Sequence, residues 1–89
     1  MPDSPAQRPR RVPPYLLVAD ELTAEIHAGT YDTGEPFPSE SMLAARFGRA
    51  LMTIRRSLEV LRERGLITTE WGRGSWVVPA DQRPALGAN

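Results

Sequence analysis

The chain has 89 residues, 25% of them charged, with equal numbers of acidic and basic side chains and no cysteine. That length fits one domain, and the lack of cysteine excludes disulfides and thiolate metal sites. The only histidine, His27, cannot form a zinc site alone, no apolar run approaches the roughly 20 residues that span a bilayer, and no signal peptide is recognisable. We expect a cytoplasmic protein that is not an enzyme, without metal, cofactor, membrane segment or evident site for a small-molecule effector.

Charge is unevenly distributed along the chain, although the net charge is zero. Residues 46–73 contain seven arginines against three glutamates, whereas residues 15–40 contain six acidic residues and neither arginine nor lysine. A local basic patch is a better indicator of nucleic-acid binding than the total charge. We therefore expect any DNA-binding surface to lie in the second half of the chain.

Residues 1–13 hold four of the nine prolines and three arginines, which predicts a disordered basic arm. The folded domain is predicted over residues 14–79. Its first helix spans Pro14 to His27, because apolar residues recur there at helical spacing. They are Tyr15, Val18, Ala19, Leu22 and Ile26.

Two further helices follow a turn-rich connector. Ser39 is predicted to cap the second helix, and Gly48 to end it. The third helix is predicted over about residues 50–64. Its buried face is expected to comprise Leu51, Ile54, Leu58 and Leu61, which fall within one sector of the helix. Its outer face is expected to carry Arg49, Met52, Arg55, Arg56, Glu59 and Glu63.

A β-hairpin is predicted after the third helix. Residues 66–71 and 75–78 are β-prone runs joined around Gly72-Arg73-Gly74, a sequence typical of a hairpin turn. Trp71, at the base of the turn, could touch the sugar-phosphate wall of DNA, but we expect it to pack on the sheet. Trp76 is expected to lie in the core. Residues 80–89 are predicted to be a disordered tail. Three helices followed by a two-stranded hairpin constitute an α+β winged helix-turn-helix fold.

These residues resemble the GntR family of bacterial regulators over about residues 14–78. The similarity is carried by an ordered series: Pro38-Ser39-Glu40, Leu43-Ala44, Phe47-Gly48, Thr53-Ile54-Arg55, Leu58, Leu61, Gly65, Ile67 and the Gly72-x-Gly74 turn. The resemblance implies a winged-helix repressor or activator that binds an inverted-repeat operator as a dimer. Members usually carry a second, C-terminal domain that binds an effector.

One part of the chain departs from the family pattern. Where the family usually has a small hydroxylated residue followed by an arginine that touches DNA, this chain has Ala50 and Leu51. The resemblance therefore carries DNA contacts to Thr53, Arg55 and the wing, but not to Leu51. Arg49 could substitute from a neighbouring position, or recognition could be altered.

The placement of arginines on the third helix supports DNA binding independently. Arg49, Arg55 and Arg56 lie near its N-terminal half, where the helix dipole disfavours positive charge. A phosphate or a guanine edge would compensate for that arrangement. We predict that the third helix enters the major groove and that the wing, residues 71–75, lies at the backbone or minor groove. The predicted DNA contacts are Ser39, Arg49, Ala50, Met52, Thr53, Arg55, Arg56, Gly72, Arg73 and Gly74.

Three interpretations remain open from the sequence. The first is a sequence-specific regulator of transcription, acting as a repressor on double-stranded DNA. The second is a winged helix that binds another protein, with little affinity for DNA; Ala50 and Leu51 favour it. The third is the DNA-binding fragment of a longer, effector-responsive regulator.

Overall fold

The computed structural model describes residues 11–84, and it forms an α+β winged helix-turn-helix as predicted. Three α-helices precede a two-stranded antiparallel sheet. The elements are α1 Pro14–His27, α2 Glu40–Phe47, α3 Leu51–Glu63, β1 Ile67–Glu70 and β2 Gly74–Val77. Residues 1–10 of the predicted arm lie outside the described part of the chain. No helix within residues 11–84 is long and apolar enough to cross a membrane.

The core lies between the three helices and the base of the hairpin. Its largest share comes from α1, which buries Val18, Ala19, Leu22 and Ile26. Ser57 on α3 is also fully buried, with its Oγ 2.8 Å from the carbonyl oxygen of Tyr15. The Ser57 hydroxyl thus donates a hydrogen bond across the contact between α1 and α3, as expected for a buried polar group. The remaining core residues are Phe37, Leu43, Ile54, Leu58, Leu61, Leu66 and Ile67.

Two core predictions were wrong. Leu51 is 43% exposed because it is the first residue of α3, and a helical side chain leans toward the N-terminus of its helix, here past the end of the core. Trp76 is only half-buried and lies outside the core. The hairpin pairs Ile67 with Val77 and Thr68 with Trp76. Since neighbouring residues of a strand point to opposite faces, Trp76 faces away from the buried Ile67.

The turn between α2 and α3 follows the predicted signals. Ser39 Oγ accepts a hydrogen bond from the backbone N–H of Met42 at 3.1 Å, which satisfies one free donor at the start of α2. Gly48 ends α2 with φ of +63°, in the left-handed region that favours glycine. Only Arg49 and Ala50 separate this glycine from α3.

The segment after the wing differs from the predicted disordered tail. Ala80–Gln82 form a short 3₁₀ helix, and the side chain of Arg83 is only 4% exposed. Its Nη1 donates to the carbonyl oxygen of Ile26 at 2.8 Å, and its Nη2 lies 3.1 Å from Asp32 Oδ1. Cations near a helix C-terminus satisfy free carbonyl groups, so Arg83 ties this segment to the end of α1. Residues 85–89 of the predicted tail lie outside the described residues.

Ion pairs join the acidic and basic parts of the chain instead of leaving them apart. Arg46 on α2 binds both carboxylate oxygens of Glu25 on α1 and lies 3.2 Å from the Tyr31 hydroxyl. Arg64 pairs with Asp20 at 3.0 Å. Much of the acidic charge of α1 is thus compensated by arginines that the sequence places far from it.

We expect the Glu25–Arg46 pair to make stability depend on pH. The hydrogen bond from Arg46 holds the pKa of Glu25 below its ordinary value, against the opposing effect of burial. A lowered folded-state pKa gives stability that is present above the unfolded-state pKa and is lost as pH falls through the folded-state value. Glu25→Gln should therefore lower the melting temperature near about pH 7, and the difference from wild type should shrink toward about pH 3.

Thermal unfolding followed by circular dichroism across this pH range measures the effect. Glu35→Gln is the matched control, because Glu35 is exposed and forms no ion pair within residues 11–84. A Glu25→Gln deficit that stays constant down to low pH would assign the stabilisation to packing instead of charge.

Candidate nucleic-acid interface

The outward face of α3 is an exposed surface bordered by two helix N-termini. Met52 is 71% exposed, Arg55 and Arg56 are exposed, and Thr53 is half-buried. The opposite face of α3 packs into the core through Ile54, Leu58 and Leu61. The helix therefore holds four predicted contact residues in a fixed orientation: Met52, Thr53, Arg55 and Arg56.

Arg55 is held by a carboxylate but retains free donors. Its Nε lies 3.0 Å from Glu40 Oε1, and its side chain is 54% exposed. Nη1 makes only a long contact of 3.9 Å to Met52 Sδ, and Nη2 has no hydrogen-bond acceptor within residues 11–84. Because Glu40 occupies Nε alone, it orients the guanidinium group and leaves the two Nη groups for a phosphate or a guanine edge.

Arg56 is held differently, by the N-terminal end of α1. Its guanidinium carbon lies 4.1 Å from the centre of the Tyr15 ring, a cation–π contact. Neither Arg55 nor Arg56 forms the pair with Glu59 that a purely solvated helix face would favour. Tyr15 and Arg56 line a groove of about 700 Å³ that also includes Met52, Arg55 and Glu59. Glu63 lines the groove as well, so the positive charge of this surface comes from Arg55 and Arg56, and the two glutamates oppose it.

The start of α3 offers backbone donors. Ala50 is the N-cap residue and makes no side-chain hydrogen bond, so the first N–H groups of α3 lack the partner that a serine or threonine would supply. Arg49 immediately precedes it, is exposed, and has no side-chain partner within residues 11–84. Free N–H groups at a helix N-terminus favour an anion.

The wing projects a second basic group. The backbone N–H of Arg73 donates to the Glu70 carbonyl oxygen at 2.9 Å and closes the turn. Gly72 and Gly74 adopt φ of +77° and +112°, values that side chains with a Cβ rarely reach. The Arg73 side chain is 76% exposed, and its Nη1 lies 3.7 Å from Glu70 Oε1. An exposed pair at this distance binds weakly, so Arg73 remains available.

The N-terminus of α2 connects the α3 face with the wing. Glu40, its first residue, contacts Arg55, and the backbone N–H of Phe37 donates to the Ser75 carbonyl oxygen in β2 at 2.7 Å. Ser39 lies between these two contacts and is exposed. The structure thus brings Ser75 near the turn of the wing, Ser39 and Arg55 to neighbouring positions.

Two residues of this surface, Glu40 and Tyr15, make contacts that the sequence did not reveal. From the sequence, Glu40 was noted only as part of the Pro38-Ser39-Glu40 series, and Tyr15 only as one of the apolar residues at helical spacing in the first helix. Neither contact partner is within helical spacing in the sequence, so no local signal identified these pairs. Trp71 was expected to pack on the sheet and is instead 98% exposed, because it lies in the turn beyond the last strand pair, Glu70–Gly74.

Comparisons with known proteins give a consistent family assignment. Residues 14–77 match the sequence model of the family described as "Bacterial regulatory proteins, gntR family". The chain is 36% identical over 83 residues to the histidine utilization repressor of Klebsiella aerogenes, covering 91% of this chain and 34% of that protein. It is 33% identical over 75 residues to the transcriptional repressor NagR of Bacillus subtilis, covering 84% and 31%. The chain thus spans about a third of the length of these relatives.

Solved structures show the same architecture. The DNA-binding domain of AraR in complex with operator ORR3 aligns with a TM-score of 0.72 at 28% identity, covering 85% of this chain and 92% of that chain. A GntR-family transcriptional regulator from Listeria monocytogenes aligns with a TM-score of 0.74, also at 28% identity, covering 85% and 67%.

Proposed function

Because this chain belongs to the gntR family of bacterial regulatory proteins, we propose that its described part binds double-stranded DNA and regulates transcription in the cytoplasm as a sequence-specific repressor. The observation that carries the proposal is the face of α3, where Arg55 and Arg56 are exposed and held in place by Glu40 and Tyr15. The structural likeness to AraR bound to its operator supports the same interpretation.

In the proposed complex, α3 enters the major groove with its N-terminal half toward the bases. Arg55 directs its free Nη groups to a guanine edge or a phosphate, and Arg56 binds the backbone. Met52 and Thr53 contact thymine methyl groups or a phosphate. Arg49, Ala50 and Ser39 place positive charge or helix N-termini near the phosphates.

The wing binds the adjacent backbone or minor groove. Gly72 and Gly74 allow the backbone to approach a phosphate closely, and Arg73 supplies the charge. Two copies of the chain bound to an inverted repeat would place their α3 helices in successive major grooves on one side of the DNA, about one helical turn apart.

Selection of bound duplexes from a random pool tests this function directly. We expect enrichment of two inverted half-sites, and an affinity that falls as salt rises, because arginines displace counterions from phosphates. A duplex of the same length and composition with a shuffled sequence is the control and should bind more weakly. A pool without enrichment, together with no salt-dependent binding of any duplex, would refute the proposal.

A further inference from the structure

Trp71 places an almost fully exposed indole at the outer end of the wing. It is 98% exposed, and it lies between Glu70 and Arg73, whose backbone hydrogen bond closes the turn. Trp76, the other tryptophan, is half-buried. Leaving an indole in water is unfavourable, and the fold of residues 11–84 gains nothing from this side chain, since the residues around it leave it uncovered.

The surroundings of Trp71 favour an anionic partner. Arg73, two residues further on, is largely exposed and pairs only weakly, at 3.7 Å, with Glu70 on the other side of Trp71, and glycines with positive φ stand on both sides of Arg73. Near the turn of the same hairpin, Ser75 accepts a hydrogen bond from Phe37 in the segment before α2, and Glu40, the first residue of α2, contacts Arg55. Trp71 therefore continues the surface proposed above to contact DNA.

The minor groove of a duplex matches this combination of groups. Its walls are apolar deoxyribose faces bordered by two rows of phosphates, so an indole and a guanidinium group on one turn can bind sugar and phosphate together. The indole N–H can also donate to a polar atom at the groove. A protein surface would have to supply a comparable density of negative charge around an apolar cleft.

We propose that Trp71 is a DNA-contacting residue of the wing, whose ring packs against the deoxyribose wall of the minor groove beside the α3 site. This inference rests on the proposed DNA-binding function. The ring adds affinity with little preference for sequence, since every nucleotide presents the same sugar.

Fluorescence with a selected duplex provides a test specific to this side chain. In a Trp76→Phe background Trp71 is the only tryptophan, and its emission should shift to shorter wavelength and change in intensity when the duplex saturates the protein. If Trp76→Phe does not fold, the emission change on duplex binding is measured for the wild type and for Trp71→Phe. The difference between these two changes is the contribution of Trp71.

Affinity measurements complete the test. Trp71→Ala should weaken binding of selected and shuffled duplexes alike by about fivefold to tenfold, because the apolar ring surface is no longer buried. The slope of log affinity against log salt should stay unchanged, since no charge is removed. Trp71→Phe, which keeps an aromatic ring, should recover most of the loss.

Three results distinguish failure of this inference from failure of the function on which it rests. Salt-dependent wild-type binding with unchanged Trp71 emission and full affinity in Trp71→Ala would overturn the role of Trp71 and leave the proposed function intact. A tryptophan that responds to a protein partner but to no duplex would overturn the inference as well. Wild-type protein that binds no duplex would refute both.

Discussion

Replacing Arg55 by alanine is expected to lower the affinity for a selected DNA site by about 5- to 150-fold, the range for loss of one specific arginine contact. Two effects add in the same direction. The variant loses the free Nη donors, and it leaves Glu40, which lies 3.0 Å from Nε in the wild type, as an uncompensated negative charge close to the DNA phosphates. Fluorescence anisotropy with a labelled duplex at fixed salt measures the change.

The specific and electrostatic parts of this loss can be separated with a matched variant. Arg64→Gln removes the same charge from the other end of α3, where Arg64 pairs with Asp20 on α1. We expect Arg64→Gln to lower the affinity for the selected and the shuffled duplex slightly and by a similar factor. Arg55→Ala should lower the affinity for the selected duplex more than that for the shuffled duplex. Equal losses in both variants and on both duplexes would mean that Arg55 contributes general charge only. Thermal unfolding of each variant verifies that the fold is retained.

The double variant Arg55→Ala/Glu40→Gln tests the role assigned to Glu40. Removing both members of the pair takes away the uncompensated carboxylate, so part of the lost affinity should return. The size of this recovery measures how much of the Arg55→Ala effect comes from Glu40 and how much from the missing DNA contact.

The fold was predictable because its signals are local. Helical spacing of apolar residues located α1, the Ser39 cap and Gly48 located the ends of α2, and the glycines around Arg73 located the wing. Each of these signals depends on neighbours within a few residues, which is the range over which backbone preferences act. Errors occurred where burial depends on the ends of elements, as for Leu51 and Trp76.

The details of the interface were not predictable in the same way. The contacts Arg55–Glu40 and Arg56–Tyr15 join residues on different helices, and helical spacing suggested the local partner Glu59 for both arginines. Arg83 illustrates the same limit, because the sequence of the predicted tail gave no sign that one arginine would be buried against α1. Tertiary packing decides which of several opposite charges an arginine meets.

The second large effect concerns stability. Leu22 is completely buried on α1, and Leu22→Ala should destabilise the domain by about 2–5 kcal/mol through lost burial and the cavity left behind. A core of this size rarely supplies more than about 3–5 kcal/mol in total. The variant should therefore be substantially unfolded near room temperature, as urea titration or thermal unfolding would reveal. Full retention of the wild-type unfolding midpoint would show that α1 is not integral to the core.

Leu17→Ala provides the control on the same helix. Leu17 is 49% exposed, so the same chemical change should cost well under about 1 kcal/mol, as is usual away from the core. The comparison also distinguishes the two ways of losing DNA binding. Leu22→Ala weakens binding only by depopulating the folded state, and an osmolyte that favours folding should restore it. Arg55→Ala is folded but lacks a contact, and the same osmolyte should leave its affinity deficit unchanged.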